Sequence, residues 1–242
     1  MIHPPFYCPR TRRLSQTLPA PSLALEEPNG LLAIGGDLAP ATLLAAYRQG
    51  VFPWYSSGQP LLWWSPDPRT VIRPAEFHVS RSLRRSLRRL PWRIVVDGDF
   101  EGVVCACAEP RSTDAGTWLT PEMINAYCAL HRLGHAHSVE CRLDGRLVGG
   151  VYGIAVGTVF CGESMFSRVP DASKVALHAL CQRLHRSGFT LLDCQVENPH
   201  LVSLGAEPMP RQAFCEILNA SDNGTGISAD AWSGAYEGDD PA

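Results

Sequence analysis

The sequence predicts an α+β fold, and three observations carry that prediction. Short apolar runs broken by glycine and turn dipeptides mark strands, and longer stretches with a cap residue in front and a glycine behind mark helices. The 242 residues, 45% of them hydrophobic, suffice for one substantial core and a small second domain. We expect a small N-terminal α/β lobe over residues 1–68, a larger domain over 69–220, and an acidic, disordered tail over 221–242.

Residues 1–27 are rich in proline and arginine without a period, and read as an irregular arm along the surface. Asp37 and Pro40 start a helix in which Leu43, Leu44, Ala46 and Tyr47 recur at helical spacing, and Gly50 ends it. Val51–Tyr55 and Leu61–Trp64 read as short strands around a Ser-Ser-Gly turn. Ser80 caps a helix that stops at Pro91. In it Arg81, Arg84, Arg85, Arg88 and Arg89 stand at i, i+3, i+4, i+7 and i+8, with Leu83, Leu87 and Leu90 opposite. Trp92–Val96 reads as a strand and Phe100–Ala108 as a helix; Thr120, Pro121 and Glu122 open another, ended by Gly134. His137–Leu143 and Arg146–Gly153 form a hairpin through Asp144-Gly145, its second run reaching Ala155. The strand Thr158–Cys161 follows the turn at Gly157. A polar loop from Glu163 to Arg168 leads to a helix from Ser173 to Ser187, then Gly188, the strand Phe189–Val196 and a last helix, Pro210–Leu218.

Composition narrows the function classes. No stretch approaches the 18 or so apolar residues of a membrane span, and the first ten residues lack a signal peptide's apolar centre, so we expect a cytoplasmic protein. Nine scattered cysteines, with only Cys105 and Cys107 close together, suggest neither a zinc site nor a disulfide framework. His131, His135 and His137 lack a carboxylate or thiol at a completing spacing, so no metal or other cofactor is expected. The net charge of −3 conceals an uneven distribution: five arginines lie within 81–89, while the last 22 residues hold five acids and no base. The stripe is either a solvated surface face or a grip on a phosphate backbone, and the second is favoured because five like charges on one face repel unless a polyanion neutralises them.

The strand Phe189–Val196 carries the chemistry. Its alternation places Asp193 and Gln195 on one face, and both are costly to bury unpaired. Either they satisfy each other and nearby backbone, or they orient and deprotonate an amine nucleophile, with Glu163 adding a negative group from the neighbouring loop. Gly162, Ser164 and Phe166 match a serine nucleophile elbow only loosely, because the final glycine is missing. Trp54 and Trp118, each flanked by small or polar residues, are either core or stacking platforms for an unpaired base, a contact worth roughly 1–3 kcal/mol.

The segments PNGLLAIGGDLAP, YRQGVFPWYSSGQPLLWWSPDPR, HVSRSLRR, TWLTPEM, GHAHSVE, LVGGVYGIAVGTVFCGESMFSRVPDASK and LLDCQVENPHLVSLGA resemble the leucyl/phenylalanyl-tRNA-protein transferases, in order, from about Pro28 to Leu218. The resemblance implies a C-terminal domain of acetyltransferase-like (GNAT-like) fold, a mixed sheet flanked by helices. It implies transfer of Leu or Phe, with Met as a secondary cargo, from aminoacyl-tRNA to the N-terminal Arg or Lys of a protein, which marks that protein for degradation. By matching position, Asp193 and Gln195 resemble the catalytic pair, and Glu163 and Tyr127 the contacts of the acceptor peptide. Trp54 and Trp118 resemble the groups around the terminal adenosine. Val151, Phe160, Met165, Leu177 and Leu184 resemble the side-chain pocket, and Arg81, Arg85, Arg88 and Arg89 the grip on the tRNA backbone. Val151 stands where some relatives carry Met, and Arg142 where Trp is common. Two other classes stay open: a CoA-dependent N-acetyltransferase, whose pyrophosphate loop finds only Arg146-Leu147-Val148-Gly149-Gly150 inside a strand signal, and a non-catalytic RNA-binding protein.

Overall fold

A computed structural model describes residues 5–110, 119–221 and 229–232. The chain runs β1 (Phe6–Cys8), β2 (Arg13–Ser15), β3 (Leu31–Gly35), α1 (Pro40–Arg48), β4 (Phe52–Pro53), β5 (Leu62–Trp64) and β6 (Arg69–Ile72). It continues through α2 (Arg81–Arg89), β7 (Arg93–Val96), α3 (Phe100–Ala108), α4 (Pro121–Arg132), β8 (Ala136–Leu143), β9 (Arg146–Val156) and β10 (Val159–Ser167). Last come α5 (Ala172–Arg186), β11 (Leu191–Gln195), α6 (Pro199–Val202), β12 (Glu207–Met209), α7 (Arg211–Ser221) and a 3₁₀ turn at Ala229–Trp232.

The strands form two sheets, one in the order β2-β1-β3-β5-β4 and one in the order β12-β6-β11-β10-β9-β8-β7. In the second sheet β10 and β11 are parallel neighbours and the other pairs are antiparallel, so the sheet is mixed. Local chemistry accounts for the helices. Ser80, Asp99 and Thr120 each accept a backbone N–H at the start of α2, α3 and α4, as N-caps do. Gly50 ends α1 at φ +75°, a conformation that side chains disfavour.

Two apolar cores sandwich the second sheet. Leu177, Leu180 and Leu184 of α5 pack with Val139, Val151 and Phe160 on one face. On the other, α3 and α4 share a single continuous core with α1 and with Trp63 of the first sheet, so the two sheets are not separately packed bodies.

Several expectations are corrected. The arm over residues 1–27 contains the β1–β2 hairpin, held because β1 pairs with β3; strands of three residues leave no period to read. The polar stretch from Glu163 to Ser167 is not a loop but the second half of β10, half-exposed because it lines a cleft, and so lacking the apolar alternation of a covered strand. β6 and β12, unforeseen, complete the sheet beside β11. Within the tail expected to be disordered, Trp232 stacks on His137 with ring centroids 4.0 Å apart and touches Phe160 and Phe189, while Arg183 donates to the carbonyl of Ala231. Ser221 is the buried last residue of α7, and residues 222–228 and 233–242 lie outside the described residues. Arg142 donates twice to the fully buried Glu140 and so neutralises it.

Candidate active site

The parallel pair β10–β11 makes the site. Its register ends at Cys161↔Asp193, after which β10 follows β9 to Ser167 while β11 leaves on the other side. Each strand carries a bulge at this point, between Gly162 and Ser164 on one and between Asp193 and Gln195 on the other. The parted strands open a cleft of about 880 Å³. A crevice at the carboxyl ends of parallel strands is where open sheets bind ligands.

The bulge breaks the alternation expected for β11. Asp193 turns inward, with its side chain 0% exposed, and Arg69 of β6 closes on it as a fork: Nε donates to Oδ1 at 2.8 Å and Nη2 to Oδ2 at 2.7 Å. Such bidentate pairs are the strongest of their kind. Burial works against the charge of Arg69, but the carboxylate outweighs it and the guanidinium is held more tightly protonated than usual. Its remaining nitrogen, Nη1, donates to the carbonyl of Gly50 at 3.0 Å, and the rings of Phe52 and Phe214 lie 4.8 and 4.7 Å from Cζ. Gln195 sits at φ +64°, a strained conformation for this residue, and its N–H donates to Asp193 Oδ1 at 2.8 Å. That bond secures the strained turn, which swings the amide of Gln195 into the cleft.

There Gln195 Nε2 donates to Glu163 Oε1 at 3.0 Å, and the Tyr127 hydroxyl donates to Glu163 Oε2 at 2.6 Å. The hydroxyls of Tyr127 and Tyr47 lie 3.2 Å apart. Burial pushes the Glu163 carboxyl up to about 7, against the opposing bonds from the two phenols, while Asp193 raises it and Arg69 lowers it to a smaller extent. Burial, with the nearby carboxylate, keeps both phenols protonated well above the ordinary tyrosine range.

Val151, Met165 and Leu177 line the apolar part of the cleft, Val151 and Met165 as cross-strand partners. Phe160 and Leu184 do not line it; they belong to the core beneath α5. Trp54 stands at the rim, 45% exposed, with its ring 5.8 Å from that of Trp64, whose Nε1 donates to the Trp54 carbonyl. Trp118 lies outside the described residues. Arg81, Arg85, Arg88 and Arg89 are exposed along α2 and, among the described residues, make no ion pair with an acid. No group of three His, Cys, Asp or Glu among the described residues could hold a metal, and no described helix is long and apolar enough to cross a membrane.

Reading the sequence alone missed Arg69 and Tyr47. An arginine inside the apolar run Arg69–Ile72 is the one local sign, but its partner lies 124 positions away.

One cleft thus gathers an acid-amide centre, an apolar slot and an exposed indole, in a protein that also carries a cationic helix, and the family matches make the protein an aminoacyltransferase. Models of the leucyl/phenylalanyl-tRNA protein transferase match residues 71–219, and of its N-terminal domain residues 36–67. The chain belongs to this family. The leucyl/phenylalanyl-tRNA--protein transferase of Aromatoleum aromaticum is 58% identical over 84% of this chain and 86% of its own. That of Yersinia enterocolitica is 56% identical over 85% and 86%, and that of Pseudomonas putida 56% over 85% and 91%. Among solved structures, a GCN5-related N-acetyltransferase from Kribbella flavida aligns with 69% of this chain and 59% of its own at 17% identity and a TM-score of 0.35.

Proposed function

We propose that this enzyme carries a leucyl or phenylalanyl group from its tRNA ester to the α-amine of a protein that begins with Arg or Lys, marking that protein for degradation. The observation that carries the reading is one cleft in which the slot of Val151, Met165 and Leu177 and the polar pair Gln195–Glu163 face the same space. The slot takes the amino-acid side chain, Trp54 takes the terminal base, and Gln195 and Glu163 receive the acceptor amine. Tyr127 holds Glu163 in place. The aminoacyl ester is already activated, so holding the amine against its carbonyl supplies much of the catalysis, roughly 7–11 kcal/mol for well-oriented partners. The leaving group is the ribose oxygen of the tRNA.

Labelled Leu-tRNA and labelled acetyl-CoA, each offered with a peptide beginning in Arg, test this reading. Leucyl label is expected in the peptide; acetyl label would make the enzyme an acetyltransferase, and no label with tight RNA binding would make it a binding protein.

The slot sets which side chain is accepted. Val151→Met extends a longer side chain beside Met165, and is expected to lower kcat/KM for Phe relative to Leu by roughly tenfold, since a methylene or two in such a pocket is worth about 1–3 kcal/mol. Competition between Phe-tRNA and Leu-tRNA in one reaction reads the ratio directly.

A further inference from the structure

We propose that Glu163, and not Asp193, takes the proton from the acceptor amine; this rests on the aminoacyl transfer proposed above. Among the described residues three acids line the cleft: Glu109, Glu163 and Asp193. Glu109 is engaged with Arg168, 2.5 Å away and next to Ser167, where β10 ends. Asp193 exposes none of its side chain, and the fork of Arg69 occupies both of its oxygens, one of which also accepts the Gln195 N–H. No amine can reach it. The Gln195 amide is neutral and a poor base, whereas it orients well. Glu163 remains: Gln195 donates to one of its oxygens and Tyr127 to the other, Tyr47 adds a further bond, and of the carboxylate's roughly four lone-pair sites one stays open.

The surroundings of Glu163 suit it to that task. Tyr47 faces it from α1, Tyr127 from α4, Tyr152 from β9, Asp193 and Gln195 from β11, and Arg69 from β6, with Cys161 two residues earlier on its own strand. Their balance with burial holds the carboxyl at about 7. A peptide α-amine titrates near 8, so donor and acceptor are matched to about one pH unit.

The step balances as follows. The Glu163 carboxylate takes one proton from the bound ammonium, leaving the free amine. The nitrogen lone pair attacks the ester carbonyl and forms the C–N bond. As the C–O bond to the ribose breaks, a second proton passes from that nitrogen to the ribose oxygen, giving an amide and a hydroxyl. Glu163 then loses its proton to water.

Single-turnover transfer to an Arg-initial peptide, with Leu-tRNA and peptide saturating and ester hydrolysis subtracted, tests this across pH 6 to 9. The wild-type rate is expected to rise through a midpoint of about 7, where Glu163 ionises. Glu163→Gln should lose about tenfold at pH 6.5 and approach the wild-type rate at pH 9, its midpoint moving to that of the amine near 8, because only amine already deprotonated can then react. Glu163→Asp, which keeps a carboxylate, should keep the wild-type midpoint even if slower, and serves alone if the glutamine variant does not fold. Melting temperature and Leu-tRNA affinity, measured on each variant, report folding separately. Parallel profiles for wild type and Glu163→Gln, or a midpoint near 8 for Glu163→Asp, would overturn the assignment and leave Glu163 a contact only. Absence of leucyl transfer by the wild type would instead overturn the reaction proposed above.

Discussion

Arg69→Met is expected to cost about 3–5 kcal/mol of stability, because it strands the Asp193 carboxylate in a site closed to solvent. For a protein of this size that lowers Tm by roughly 6–20 °C, which calorimetry reads. Transfer should fall with it, since Asp193 is then free to leave the Gln195 N–H and the strained turn at φ +64° loses its support. The double variant Arg69→Met/Asp193→Leu separates the two effects. Replacing a buried pair by apolar groups is often neutral or better for stability, so much of the Tm should return. The rate of transfer should not, because leucine offers Gln195 no acceptor. Recovery of both would mean that the pair matters to folding alone.

The second large effect concerns the helix α2. Changing Arg81, Arg85, Arg88 and Arg89 together to Gln is expected to reduce the slope of log K for tRNA against log salt by about 3, at roughly 0.7–0.9 for each phosphate left without its arginine. Affinity at low salt should fall by orders of magnitude, while the KM for the acceptor peptide stays put. Filter binding at a series of salt concentrations measures the slope. An unchanged slope would show that the stripe does not meet the RNA backbone.

How far the sequence discloses the molecule differs from one element to the next. The capped helices were legible because caps and period are local: Ser80 and Thr120 each make the bond that their position suggests. The hairpin through Asp144-Gly145 was legible for the same reason. Asp193 and Gln195 could be picked out because polar side chains in an apolar strand need partners, and Glu163 as a carboxylate on the stretch beside it. Their relation could not. Whether Gln195 faces the same way as Asp193 depends on a bulge, and the bulge depends on pairing with β6, a strand whose four residues give no periodic signal. The half of β10 that holds Glu163 read as a loop because a strand wall facing a cleft is neither covered nor alternating. Arg69 and Tyr47 were out of reach, since their partners are set by the meeting of elements distant in the chain.

The bond from Arg69 to the Gly50 carbonyl has a consequence for timing. Gly50 lies just ahead of Phe52, Pro53 and Trp54, while the other end of the same guanidinium holds the turn that presents Gln195. One rigid planar group therefore acts as a gauge block between the surface that would meet the nucleic-acid end and the surface that would meet the amine. Their separation is set during folding, before either substrate arrives. The entropy of aligning two large reactants is met in advance by the protein, and the two need only dock against surfaces whose spacing is already fixed.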